Sequence, residues 1–241
     1  MASVVIALAT RDFDPTEAAV PWRCLVAAGH DVVFATADGA PGACDPDMLT
    51  GVLFGQVKAM SADAASYQEM AASPAFATPI LFQDIDPTDH DLLVLPGGHA
   101  SGMRQYLEDA ELQQAVVRFF DRDAPVGAIC HGSVVLARSV RDDGTSVVTG
   151  RRLTGLPKRF EVGAWVLTKP YMGDYFRTYP EWVEDEVRRA IGPDGTWEPG
   201  PFLPIHGKGF TVKDGALITA RWPGDAQAFA DALVAHLAGG L

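Results

Sequence analysis

Four short apolar runs constrain this chain more than any other feature: residues 4–9, Asp31–Thr36, residues 91–95 and Val126–Ile129. They lack the strict polar alternation of a sheet with one wet face. They read instead as strands buried on both faces, the pattern of a parallel sheet covered by helices. Helical segments separate them. Asp14-Pro15-Thr16-Glu17 reads as a helix start, with Asp14 as N-cap, Pro15 at the first helical position and Glu17 completing a capping box. That helix runs to about Ala28 and stops at Gly29. Residues 109–122 place Leu112, Val116, Phe119 and Phe120 on one helical face. Residues 133–140 read as a helix following the fourth run. Near the end, 209–212 and 216–220 flank Lys213-Asp214-Gly215 as a β-hairpin, and 225–237 form a last helix. Strand–helix alternation of this kind predicts an α/β fold, a three-layer sandwich with a mostly parallel central sheet.

Two segments break the alternation. Residues 39–82 are polar and rich in Gly and Ala, with one helical patch at 65–72. Residues 165–202 are rich in aromatics and proline, including Trp165, Tyr171, Tyr175, Phe176, Tyr179, Trp182 and Trp197. Both read as insertions on one domain spanning 1–241. The second is expected to serve as a lid, as a dimer face, or simply to pack as an excursion.

The fourth run ends in Gly127-Ala-Ile-Cys-His-Gly132, and a helix follows. That layout is a nucleophile elbow, a strand-to-helix turn that projects one reactive side chain. A thiol at a helix N-terminus sits at the positive end of the dipole, which favours thiolate. Unpaired N–H groups there are available to a developing oxyanion. The plain alternative is a small buried cysteine closing a core strand. In a parallel sheet, reactive residues gather at the carboxyl ends of the strands. The loops after residues 9, 95 and 129 should therefore converge, bringing Pro96-Gly97-Gly98-His99 to Cys130-His131.

The formal net charge is −12, which argues against nucleic acid as a partner, because phosphate binding needs clustered Lys and Arg. No apolar run reaches membrane-spanning length. The apolar start lacks a basic leader and reads as a first core strand. Cys24, Cys44 and Cys130 are too few and too scattered for a disulfide framework, which points to a reducing, cytoplasmic setting. Cys44, in a Gly/Pro-rich loop, is expected to be exposed. The six histidines form no ligand-spaced pair in sequence, so no metal site is expected.

These motifs together resemble the ThiJ/PfpI superfamily, the cysteine branch of the class I glutamine-amidotransferase-like fold, over nearly the whole chain. Ala128-Ile-Cys-His-Gly132 resembles its nucleophile motif, and Asp91-Leu-Leu-Val-Leu-Pro-Gly-Gly-His99 its oxyanion strand and loop. Residues 17–32 resemble its first helix. Tyr67-Gln68-Glu69 and Leu153-Thr-Gly-Leu-Pro-Lys-Arg-Phe-Glu161 are similar to the stress-induced chaperone and glyoxalase III branch. Ala100 and Ser133 depart from that branch, which usually has glycine and proline there, and 165–202 does not match it. The resemblance implies a flavodoxin-like sandwich, a homodimer and no cofactor.

It also implies roles. Cys130 is the nucleophile. Glu17 contacts the sulfur as a buried, protonated carboxyl, unless helix capping alone explains it. His131 acts as base, or serves only through its N–H, and Glu161 orients its ring. Gly98 and His131 supply the oxyanion N–H groups. Gly97 lets backbone approach the ligand, and His99 either lines the pocket or is a solvated or loop-anchoring residue. The implied activity is a glutathione-independent glyoxalase that converts a 2-oxoaldehyde to a 2-hydroxy acid. The alternatives are a cysteine hydrolase, amidase, peptidase or isonitrile hydratase, a redox-sensing stress protein or chaperone, and a non-catalytic binding module.

Overall fold

The structure, a computed structural model, describes residues 1–50, 61–202 and 209–239. Residues 51–60 of the first insertion, and His206, lie outside them. Seven strands build the central sheet: β1 (Ser3–Ala7), β2 (Asp31–Thr36), β3 (Ile80–Leu81), β4 (Leu92–Leu95), β5 (Val126–Ile129), β6 (Thr211–Asp214) and β7 (Leu217–Ala220). Their order is β6-β7-β5-β4-β1-β2-β3. Every neighbouring pair is parallel except the β6–β7 hairpin. Val4 to Ala7 and Leu92 to Leu95 are essentially inaccessible, as expected for strands covered on both faces.

Among the described residues the helices of seven or more residues are α1 (Pro15–Ala27), α2 (Ser61–Ala71), α3 (Ala110–Asp121), α4 (Gly132–Arg138), α5 (Lys158–Met172), α6 (Val183–Ile191) and α7 (Ala226–Leu237). Helix α3 buries Leu112, Val116 and Phe119, and Phe120 nearly so, against the sheet. Full burial of such a side chain contributes roughly 1.5–3 kcal/mol. Asp109 caps its start by accepting from Leu112 N.

Three readings need correction. Residues 80–81 are not insertion but the edge strand β3, which pairs with Ala35 and Thr36. Two residues are too few to leave a periodic signal. The hairpin turn lies later than expected. Lys213 and Asp214 are strand residues paired with Ile218 and Leu217, and Gly215 turns the chain with φ +62°. Cys44 is buried, not exposed, in the short strand Ala43–Cys44 beside Arg11–Phe13. Burial pushes its thiol up to about 11.

The sheet topology makes the site. The carboxyl ends of β1, β4 and β5 lie side by side, so the loops after them meet.

Candidate active site

Cys130 follows β5 directly with φ +57°, a left-handed conformation that costs an L-residue roughly 1–2 kcal/mol. Two contacts hold it there. Its N–H donates to Ala220 O of β7 at 3.1 Å, and Ser133 Oγ donates to its carbonyl at 2.7 Å. Ser133, at the position where proline is usual in the resembling branch, thus closes the elbow with a hydroxyl. Gly132 lets α4 start hard against β4, since a Cβ there would stand 2.0 Å from Leu95 O. These constraints form the sharp turn expected of the Gly127–Gly132 segment.

Asp14 positions the second group. Its carboxylate accepts from Thr16 N and Glu17 N, and its own N–H donates to Gly97 O. The start of α1 is thereby tied to the loop after β4. Glu17 does not complete a capping box. Its Oε2 accepts from Gly97 N at 2.8 Å instead. Capping is already supplied by Asp14, so the glutamate is free to turn inward. The carboxyl is inaccessible, and burial, then the neighbouring Asp14, holds it well above its ordinary range. It interacts with the Cys130 thiol.

Cys130 itself has no exposed surface. Burial, then Glu17 and Asp14, pushes its thiol well above the usual range, against the smaller pull of the His131 N–H. The helix-dipole argument expects a thiolate. Desolvation overrides it here, and the resting group is S–H.

His131 Nδ1 lies 3.5 Å from the sulfur. Its Nε2 lies 3.1 Å from Thr178 Oγ1. That hydroxyl spends its single proton on His99 O, so it accepts from Nε2–H and leaves the Nδ1 lone pair facing the thiol. Burial, then His99 and Arg138, keeps the ring neutral. Cys130, His131 and Thr178 thus form one connected chain of polar contacts. Thr178 was missed in the sequence because a lone threonine among aromatics carries no pattern. Arg104 Nε anchors its carbonyl at 2.7 Å. Arg138 clamps the following turn through Glu186 and Tyr179.

Glu161 does not reach His131, and the expected pairing is not formed. Its Oε2 accepts from Val183 N at 3.1 Å, at the first turn of α6. That is a helix-start contact. Burial pushes its carboxyl up to about 7 from 4.5, with Val183 N–H opposing. The folded chain therefore holds a proton that the unfolded chain releases. The stability this group contributes is complete below about 4.5 and is lost as pH rises through about 7. Glu161→Gln keeps an acceptor for Val183 N–H. We expect it to match wild type near pH 4.5 and to exceed it by about 3 kcal/mol at pH 8. Urea unfolding at the two pH values checks this, and equal differences at both would refute it.

The remaining residues gather as expected. A Cβ on Gly97 would meet His131 N at 2.6 Å and Glu17 Oε2 at 2.9 Å, so only glycine leaves that space open. No oxygen among the described residues accepts from the Gly98 N–H. His99 both anchors and lines: its carbonyl takes the Thr178 proton, and its ring stands edge-on to His131 with centroids 5.1 Å apart. Burial lowers that ring to about 4. Phe176 stacks edge-on against His99, and Tyr175 against Phe176. The aromatic stretch therefore packs against the His99 ring, which in turn packs against His131. Beyond Tyr175 opens a cavity of about 360 Å³ lined by Asp12, Asp45, Asp47, Asp174, Ala100 and Ser101.

No helix among the described residues is long and apolar enough to cross a membrane. Residues 8–201 match the model of a family described as ThiJ/PfpI family-like. A Candida albicans protein named Glyoxalase 3 is 24% identical over 223 residues, covering 91% of this chain and 86% of that protein. A Pyrococcus furiosus protein named Deglycase PfpI is 24% identical, covering 80% of this chain and 86% of that protein. The crystal structure of glyoxalase III from Candida albicans superposes with a TM-score of 0.69 at 21% identity, over 97% of this chain and 96% of that one. At that identity the superposition speaks to the fold.

Proposed function

The chain belongs to the ThiJ/PfpI family, and from that premise we propose that it is a cysteine-dependent, glutathione-independent glyoxalase acting on small 2-oxoaldehydes. One observation carries this reading: the Cys130 thiol, a His131 ring nitrogen 3.5 Å from it and the buried Glu17 carboxyl meet at one elbow. The names of the two relatives support the same class of chemistry.

The steps balance without an outside oxidant. The sulfur adds to the aldehyde carbon, its proton passing to His131 Nδ1 and then to the new oxyanion, which the Gly98 and His131 N–H groups steady. His131 next takes the C1 proton while Glu17 protonates the C2 oxygen, giving an enediol. The imidazolium returns a proton to C2 and the C1 hydroxyl proton goes back to Glu17. C1 is now oxidised to a thioester and C2 reduced to an alcohol. Water activated by His131 cleaves the thioester, the thiolate recovers its proton, and the 2-hydroxy acid leaves.

The test is methylglyoxal consumption with lactate formation in the absence of glutathione. Stoichiometric lactate supports the reading, and none from fully reduced protein overturns it. Glu17→Gln keeps an acceptor for Gly97 N–H but cannot exchange a proton. Its kcat is expected to fall about 100-fold with the thermal midpoint little changed. Steady-state rates and a melting curve check both halves.

A second reading has its own support. The carboxylates of Asp12, Asp45, Asp47 and Asp174 around the cavity favour a cationic group on the substrate. That suits carbonyl adducts of amines, the substrate class implied for a deglycase. A peroxide sensor is disfavoured, since sensing cysteines are exposed and low in pKa.

A further inference from the structure

We propose that Cys130, His131 and His99 form a binding site for one zinc ion, with three protein ligands and an open fourth position. One ligand atom from each of the three side chains lies within 4.8 Å of the others. The sulfur of Cys130 and Nδ1 of His131 are 3.5 Å apart. A tetrahedral zinc ion with Zn–S about 2.3 Å and Zn–N about 2.0–2.1 Å requires an S···N edge of about 3.5 Å. The His99 ligand atom must close from at most 4.8 Å to such an edge, a shift of at most about 1.3 Å.

Two further features favour a metal. His99 Nδ1 is a buried nitrogen with no hydrogen-bond partner among the described residues, a costly arrangement that coordination at this ring would offset. His131 is already held by its far nitrogen through Thr178, whose proton in turn goes to the His99 carbonyl. That is the outer contact that metal-bound imidazoles use to fix their orientation. A thiolate with two imidazoles is a borderline-soft donor set suited to zinc. The spacing is invisible in the sequence because His99 follows β4 and Cys130-His131 follow β5.

Binding breaks the S–H bond, forms S–Zn and releases one proton to solvent, with no change of oxidation state. The ion occupies both the sulfur and the Nδ1 lone pair, so it blocks carbonyl addition. Occupancy stands independently of the glyoxalase reading, and only the inhibition rests on it.

The experiment titrates the full reduced, chelator-stripped chain with Co²⁺ as a spectroscopic stand-in, and with Zn²⁺ against a zinc indicator. One Co²⁺ per chain is expected, with a thiolate charge-transfer band and intense tetrahedral d–d bands that Zn²⁺ erases. Cys130→Ser loses the charge-transfer band and Cys24→Ala keeps it. His99→Asn binds Zn²⁺ at least about tenfold more weakly, with circular dichroism verifying its fold. A missing band in wild type, a band that survives Cys130→Ser, or full affinity in folded His99→Asn overturns the site. Should His99→Asn not fold, the Cys130→Ser comparison decides alone. A chain that binds Co²⁺ but turns over no methylglyoxal refutes the glyoxalase reading and leaves this one standing.

Discussion

Replacing Cys130 by serine is expected to lower methylglyoxal turnover by about 10,000-fold or more, while the fold survives. The size follows from how the site divides its work. Loss of a nucleophile removes the covalent path entirely, and comparable losses elsewhere reach 10⁴–10⁶. Serine is nearly isosteric, so the left-handed turn, the Cys130 N–H bond to Ala220 O and the Ser133 contact all persist. His131 is neutral and matched to a thiol, whereas a hydroxyl beside it is far harder to deprotonate. The measurement is lactate formation by wild type and variant at equal concentration, with Cys24→Ala as the thiol control. Cys24 is partly exposed on α1 and away from the elbow, so its loss should leave the rate intact. Residual turnover within about tenfold of wild type would remove Cys130 from the chemistry and leave the carbonyl reading without a nucleophile.

The contrast between what the residues disclosed and what they hid has a physical cause. Local features were legible. Each long buried strand announces itself as an apolar run, and Asp14-Pro15 sets a helix start from neighbouring residues alone. The elbow was legible for the same reason, being a strand, a turn and a helix in sequence. Hydrogen bonds between distant segments were not. Glu17 read both as a contact of the sulfur, by resemblance, and as a capping residue, because nothing near it in the chain shows that Gly97 N–H is its partner. Glu161 looked like the orienter of His131, yet it serves Val183, while Thr178 from the poorly matching stretch takes that place. Charge state was misjudged in a similar way. The helix dipole acts on Cys130 locally, but its burial and the nearby Glu17 and Asp14 are properties of the assembled fold.

Asp225→Ala is expected to destabilise the fold by about 3–5 kcal/mol. Arg221 and Asp225 are each 1% exposed, and the carboxylate accepts from Arg221 Nε at 2.7 Å and Nη2 at 2.9 Å. It also accepts from Arg221 N and from Phe210 N. Truncation strands a guanidinium among Phe160, Phe210 and the Pro201 carbonyl, where water replaces the lost partner poorly. The cost is the unpaired charge, not the net worth of the pair. The double replacement Arg221→Met with Asp225→Leu removes the stranded charge but still leaves the Arg221 and Phe210 N–H groups without their acceptor, so it should recover only part of the loss. Urea unfolding followed by circular dichroism measures both. A single-variant loss below about 1 kcal/mol would show that the guanidinium finds other partners. The pair also bears on the chemistry. Arg221 directly follows Ala220, whose carbonyl holds the Cys130 N–H in its strained turn. Asp225→Ala should therefore lose turnover even well below its unfolding midpoint, and the double variant should regain part of it. Recovered stability without recovered turnover would break that link between β7 and the elbow.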